Sequence, residues 1–318
     1  MIKSKNVTRP QRHPDLMATG RAVLRAPPPG PSSLYRSIPW RVGIQLARVF
    51  PERLCGSLSR GLACVYGALA RHRREVVVRN LMPPLNHERA AAARKAGALF
   101  RQFGQKLADL WRYEAGLPIG HLLGASSGWE HFAAAQARRR GVLLLTIHLG
   151  NWEFGGPWLT GRGVALQVLT LPEPGRGFTQ MRRAARARWN IRTLVVGEDP
   201  FAFVEVIRRL EAGATVALLM DRPVASAAAR VELFGQGFAA SLAAAELARA
   251  SGCALVPVYL PRVGRSYEAR VLPPVDYDRS SLREREARQQ LTQRIMSVFE
   301  PVIRERLDQW FHFVPLWD

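Results

Sequence analysis

The sequence predicts an α/β fold: a single, mostly parallel central sheet flanked by helices, with an amphipathic helical segment ahead of it. Three observations predict it. Short, nearly continuous apolar runs at 141–147, 164–171, 192–196, 215–220 and 254–260 have the length and composition of strands buried on both faces, the habit of parallel sheets. Segments of helical periodicity at 178–189, 201–212 and 242–251 separate them, and alternating strand and helix folds into a sheet covered by helices. Hydrophobic residues make up 47% of the 318, enough to cover both faces of such a sheet.

In chain order, residues 1–33 are polar, basic and proline-rich, ending in Pro27-Pro28-Pro29-Gly30-Pro31, and read as an extended leader with nothing to bury. Residues 34–85 read as amphipathic, membrane-associating helices. Trp40, Ile44, Leu46, Val49 and Phe50 form an apolar stretch that Pro51 breaks; Leu54, Leu58, Leu62, Val65 and Leu69 then recur at helical spacing, with Arg53, Arg60, Arg71 and Arg73 opposite. Such a helix suits a bilayer interface and suits packing on a core, and periodicity admits both. The α/β domain is expected over 86–318. It opens with an alanine-rich helix over 86–115, capped by Asn86, and a short helix over 129–140. After the sheet it closes with an amphipathic helix over 281–306 and a tail containing Gln309-Trp310.

The formal charge is +21, from 46 basic and 25 acidic residues, so the partner is expected to be anionic: nucleic acid, a membrane face or a phosphorylated substrate. Within residues 1–79 the acidic residues are Asp15, Glu52 and Glu75, the pattern of an electrostatically docking arm. A basic nucleic-acid-binding protein is the alternative, but no recognised nucleic-acid module is present. Cys55, Cys64 and Cys253 are odd in number and do not have zinc-site spacing; they read as small buried residues in a reducing compartment. No stretch has eighteen uncharged apolar residues, so no membrane span is expected, and no secretory signal is in order.

The chemistry centres on His148-Leu-Gly-Asn-Trp-Glu153, directly after the first buried run. In open α/β sheets functional groups gather at the carboxyl ends of strands. On a continuous helix, residues five apart point about 140° away from each other. His148 and Glu153 can meet only if the strand ends at His148 and the chain turns at Gly150-Asn151, where glycine permits the turn and asparagine caps the next helix. A histidine held by a carboxylate takes a proton from an alcohol, the carboxylate setting the tautomer. No serine or cysteine adjoins the pair, which favours direct attack by a substrate hydroxyl on an activated acyl group. The oxyanion then needs donors: the amides near Asn151 and Trp152, the Asn151 side chain, or an arginine. A serine hydrolase of lipids using Ser241 or Ser251 is a further alternative, though neither lies in a Gly-x-Ser-x-Gly elbow. No third ligand completes a metal site with His148 and Glu153, so none is expected.

His148-x4-Glu153 after an apolar strand resembles the His-x4-Asp/Glu motif of the lysophospholipid and lipid A acyltransferases, most closely the late lipid A enzymes that add lauroyl or myristoyl chains. Further segments match in order: Arg74-Glu-Val-Val-Val-Arg-Asn80-Leu81, Ala217-Leu-Leu-Met-Asp221-Arg222-Pro223, Val231-Glu-Leu-Phe234-Gly235, the Ser241–Ala248 segment, Cys253-Ala-Leu-Val-Pro257 and Gln309-Trp310. Together they span about residues 70–317.

The resemblance implies His148 as general base and Glu153 as its orienting carboxylate. Asp221 and Arg222 would lie near the site, Arg222 placed to hold a phosphate. Phe234-Gly235 would form a turn, beside an acyl groove or simply packed. Arg182, Arg183, Arg186 and Arg188 would be a solvated basic face or a contact for a headgroup or carrier protein, while Trp152 and Trp158 would pack. The resemblance further implies no cofactor, an acyl carrier protein (acyl-ACP) or acyl-CoA thioester as donor, and a lipid A precursor, lysophospholipid or related glycolipid as acceptor. The expected location is the cytoplasmic face of a bacterial inner membrane, peripheral or monotopic, at an anionic surface. The chain departs from the lipid A enzymes in lacking a glycine in the loop after Pro223, in reading Phe311-His312-Phe313-Val314-Pro315 in place of a His-Arg-Arg-like stretch, and in lacking an N-terminal span. These departures bear on the acceptor.

Overall fold

The computed structural model describes residues 37–173, 176–196, 201–223 and 227–317; the expected leader at 1–33 lies outside them. Helices α1 (Ser37–Val49), α2 (Glu52–Leu69) and α3 (Arg71–Leu81) come first. They rest on α4 (Arg89–Glu114). Asn86 does not cap α4. It follows a 3-10 turn and, with His87, takes a left-handed conformation (φ 52° and 62°), so the helix starts three residues later than expected. Asparagine is used here for its tolerance of that region.

The amphipathic segment resolves in an unexpected sense. Small residues, not leucines, face the protein. Gly56, Ser59 and Gly67 are the buried residues of α2. A methyl on Gly67 would come within 2.8 Å of the Phe100 ring, and one on Gly104 within 2.5 Å of the Ser59 carbonyl. The Ser59 hydroxyl donates to the Gly104 carbonyl at 2.7 Å. This close backbone approach turns Leu54, Leu58, Leu62, Val65 and Leu69 outward, 42–78% exposed. On α1, Trp40, Gly43, Ile44 and Ala47 pack inward while Ile38, Val42 and Val49 face out.

The sheet follows, its strands alternating with helices. In chain order these are β1 (Leu123–Ser127), α5 (Trp129–Ala137), β2 (Val142–Thr146), α6 (Gly155–Thr160), β3 (Leu166–Thr170), α7 (Arg176–Ala187), β4 (Arg192–Val195), α8 (Ala202–Glu211) and β5 (Thr215–Leu219). A hairpin of β6 (Ala228–Leu233) and β7 (Gln236–Ser241) intervenes. Then come α9 (Ala243–Ser251), β8 (Ala254–Tyr259), β9 (Arg262–Val263), β10 (Ser266–Val271) and the long α10 (Arg285–Glu305).

The spatial order is β1-β10-β8-β2-β5-β3-β4, with β9 on β10, and the pairs are parallel except where β10 meets β8 and β9. All five apolar runs are strands of this sheet, four of them in its interior. Five of the described strands were not anticipated, β1, β6, β7, β9 and β10; of these β6 and β10 alternate buried with half-exposed or exposed residues and so carry no continuous apolar signal. Alternate residues of β2 feed two cores: Leu143 and Leu145 on one face, Val142 and Leu144 on the other. The cysteines differ among themselves. Cys253 is buried, and burial pushes its thiol up to about 11; Cys55 is half-buried and Cys64 exposed, because the α2 face carrying Cys64 does not pack.

Candidate active site

β2 and β5 are adjacent, parallel and in register, Thr146 opposite Leu219. His148 and Asp221 each stand two residues beyond that pair, and the Met220 amide donates to the Thr146 carbonyl, carrying the pairing onward. The register therefore sets the two side chains together. His148 Nδ1 lies 2.7 Å from Asp221 Oδ1, and the His148 backbone amide donates to Oδ2 at 2.9 Å. The C-terminal tail completes the cage. Trp310 Nε1 donates to Oδ2 at 3.1 Å, and His312 Nε2 sits 2.7 Å from the same oxygen. The tail is held there because the Phe311 amide donates to the His148 carbonyl and the Gly150 amide to the Gln309 carbonyl.

This corrects the pairing expected from the five-residue spacing: the carboxylate on His148 is Asp221, not Glu153. The bend at Gly150 does occur (φ 61°), and only glycine fits, since a Cβ there would lie 1.9 Å from the Leu260 carbonyl. The bend sends Glu153 under α7, where Arg182 Nη2 donates to its Oε1 at 2.7 Å and Arg186 donates from Nη2 at 2.6 Å and Nε at 2.9 Å. Arg182 also holds Glu114 at 2.8 Å. Arg182 and Arg186, expected on a solvated face, are thus buried at 5% exposure each. Burial opposes the charge on Glu153, but Arg186, Arg182 and then Lys106 hold its carboxyl far below the usual range. Removing one member of a buried ion cluster costs about 3–5 kcal/mol. Glu153→Gln should lower unfolding stability by that order, as read by urea titration; a change within experimental error would mean that the cluster does not brace the turn.

Electrostatics keep His148 unprotonated. Burial, then Arg222, drive the imidazole down to about 3 in spite of Asp221. The ring is therefore neutral near pH 7; with Nδ1–H donated to Asp221, Nε2 is left with its lone pair. Burial also opposes the Asp221 charge, but His148 and His312 hold that carboxyl well below the carboxylate range. Among the described residues, the ligand-type atoms of His148, Asp221 and His312 lie within 4.8 Å of one another, close enough to share a cation. Their 2.7 Å contacts, together with the Trp310 N–H, form a hydrogen-bond network around the Asp221 carboxylate.

The remaining candidates fall as follows. Asn151 is fully buried; its backbone amide donates to the Leu260 carbonyl at 2.9 Å and that of Gly150 to the Gln309 carbonyl, so neither backbone N–H is left for an oxyanion. Arg222 does lie beside the site, donating from Nη2 to the Phe311 carbonyl at 2.7 Å and from Nε towards His312 Nδ1 at 3.5 Å. Phe234-Gly235 is the two-residue turn of the β6–β7 hairpin, both residues at positive φ (53° and 71°) as primed turns require. Phe234 packs 6.4 Å from the Trp310 ring, so this is a packing turn behind the cage. Ser241 and Ser251 serve the ends of α9: the Ser241 hydroxyl accepts the Ala243 amide and that of Ser251 donates to the Leu247 carbonyl.

Two residues escaped sequence reasoning. His312 stood in a tail segment read only as a departure. Lys106 is 3% exposed, its Nζ 2.9 Å from the centroid of the Trp152 ring, which in turn meets the His148 ring edge-on at 4.7 Å. Burial pushes the ammonium pKa well below its ordinary value, opposed by Glu153. A signal existed: Lys106 interrupts the apolar stripe Leu99, Phe103, Leu110, Tyr113 at helical spacing.

Beside the turn an apolar groove follows one sheet face, with an empty volume of about 630 Å³ including its mouth. Trp152 and Glu153 stand at it, and Leu144, Val168, Ala217 and Leu219 form its floor. Ala217 is the small residue between Leu144 and Val168 that leaves the space.

An imidazole–carboxylate pair at the carboxyl ends of adjacent parallel strands, next to an apolar groove, suits an α/β enzyme that moves a proton beside a hydrocarbon chain. The profile of the bacterial lipid A biosynthesis acyltransferases matches residues 40–318, so the chain belongs to that family and is an acyltransferase. It is 25% identical over 292 residues to the phosphatidylinositol mannoside acyltransferase of two strains of Mycobacterium tuberculosis, covering 91% of this chain and 77% of the relative. It is 26% identical over 192 residues to the protein of the same name from Mycolicibacterium smegmatis, 59% of this chain and 60% of that one.

Proposed function

We propose that this acyltransferase works at an anionic membrane surface, moving a fatty acyl group from acyl-ACP or acyl-CoA onto a hydroxyl of a glycolipid. The observation that carries the chemistry is the His148–Asp221 contact of 2.7 Å. His148 Nε2 takes the acceptor's proton as its oxygen attacks the thioester carbonyl. The tetrahedral intermediate collapses, the C–S bond breaks, and the imidazolium returns the proton to the departing thiolate. Ester and thiol result, and Asp221 holds the tautomer throughout. With the Gly150 and Asn151 backbone amides committed elsewhere, Lys106 beside Trp152 and Arg222 beside His312 are the donors assigned to the developing oxyanion. Arg222 also offers a phosphate contact. The curated relatives act, by name, on a glycosylated phospholipid, which favours a glycolipid acceptor over a lysophospholipid; a lipid A precursor fits the same description.

The exposed leucine face supports the location. Among the described residues no helix is long and apolar enough to cross a membrane. Helices α1 and α2 instead present side by side an apolar stripe and the exposed arginines Arg41, Arg48 and Arg53, with Arg71 exposed at the start of α3. Such a face lies in an interface with arginines among anionic headgroups.

The test offers acyl-ACP and acyl-CoA to the protein over anionic vesicles seeded with bacterial glycolipids, followed by lipid mass spectrometry. A new acylated glycolipid is expected. Leu58→Asp with Leu62→Asp should leave the vesicles on flotation and lose the product. Thioester loss with no acylated lipid would refute the transfer, and full vesicle binding by the double variant would refute the docking face.

A further inference from the structure

Ile191 stands at the far end of the groove, with Leu159 and Leu166 beside it. The groove's rows follow from strand register. Thr146 and Leu219 pair near the catalytic turn, with Thr170 in the same row; Leu144, Ala217 and Val168 form the next row; Leu166 stands one row further from His148. Gln167 pairs with Arg192, so Ile191 falls beside Leu166 at the far end. Ile191 is 3% exposed. It lies against α6 so tightly that a methyl on Gly156 would come within 2.2 Å of its Cδ1.

Ile191 has a second role. It also walls another cavity, under α7 and against β4, with an empty volume of about 1150 Å³ including its mouth. Ala184, Ala187, Thr193 and Val195 line that cavity. Thr193 and Val195 pair with Val168 and Thr170, so that part of the lining lies on the groove's sheet face, while Arg192, Leu194 and Ala202 carry the cavity around the edge strand β4. Ile191 is the residue common to both walls.

We infer that Ile191 sets the length of the acyl chain, its side chain being the stop against which the terminal methyl rests, and that the cavity beyond takes the overhang once the stop is shortened. This rests on the reading of the groove as the acyl site. One methylene of misfit in an apolar pocket discriminates by about 10- to 200-fold. Ile191→Ala should therefore raise the rate ratio of longer to wild-type-length donors by at least about tenfold, and Ile191→Val should move it the same way by less. Gly156→Ala pushes Ile191 into the groove and should favour shorter chains.

The experiment gives wild type and the three variants an equimolar mixture of straight-chain acyl-CoA thioesters, octanoyl to arachidoyl, over the same glycolipid vesicles, and reads consumption of each by mass spectrometry. Native mass spectrometry of fatty acids bound in a His148→Ala background reads groove length without chemistry. A shift to longer chains in both Ile191 variants supports the stop. Turnover with an unchanged chain profile overturns it and leaves the acyltransfer reading standing. No thioester consumed by wild type, with no fatty acid bound, overturns both.

Discussion

His148→Ala is expected to lower kcat for acyl transfer by about a thousandfold, the scale of a positioned general base. Among the described residues, the nearest alternatives to His148 are engaged elsewhere. His312, the nearest second imidazole, points Nε2 at Asp221 and receives Arg222 at Nδ1, so both its nitrogens are occupied. Lys106 sits against the ring of Trp152. His148 does not line the apolar groove, so the donor KM should change little, which separates loss of chemistry from loss of binding. Stopped-assay kinetics over vesicles check both, and near-wild-type turnover would remove His148 from the mechanism. Because the neutral imidazole is held down to about 3, wild-type kcat/KM should show no acid limb near pH 6.5, where an ordinary histidine would give one.

Asp221→Asn should be at least as severe, about 10⁴-fold in kcat, the order seen when such a carboxylate becomes an amide in other His–carboxylate sites. Every neighbour donates to Asp221: the His148 amide and Nδ1–H, the Trp310 indole and His312. An asparagine brings two donors of its own into that cage, and at least one must face another N–H. The simplest relief is for His148 to change tautomer and carry its proton on Nε2, where it can no longer accept one from the acceptor hydroxyl. The sign of the charge effect is the same. Asp221 raises the His148 pKa, so removing the charge makes the imidazole a still weaker base and leaves the imidazolium without its counter-charge. Raising the pH should not restore activity. Steady-state kinetics from pH 6 to 9 on protein shown by circular dichroism to be folded check this. Recovery at alkaline pH would mean that the loss is one of protonation state and not of tautomer and counter-charge.

Much of this was legible before any coordinates. The five apolar runs could be read as strands because both their faces are buried and the signal is continuous over each. His148 and Asp221 were both legible as strand-end residues. Their pairing was not, because it depends on β2 and β5 being neighbours in register although 73 residues separate the two side chains. The local spacing of His148 and Glu153 favoured the wrong carboxylate. A bend at Gly150 is necessary for those two to meet but does not determine where Glu153 goes; that was decided by two arginines four residues apart on α7. The leucine stripe of α2 misleads if apolar is equated with inward, since the helix packs through its glycines and a serine.

By itself, then, the sequence determined the five apolar strands of the sheet, the strand ends that carry chemistry, the strongly basic charge and the amphipathic character of the first helices. These are written in local pattern, in runs and periods a few residues long. Tertiary structure alone decided which carboxylate serves the imidazole, that the C-terminal tail closes the site with Trp310 and His312, that Lys106 and Glu153 are buried, and where the groove stops. Each of these depends on which distant segments share a strand register or a helix face. That depends on close packing of the whole chain, which no short stretch of residues encodes.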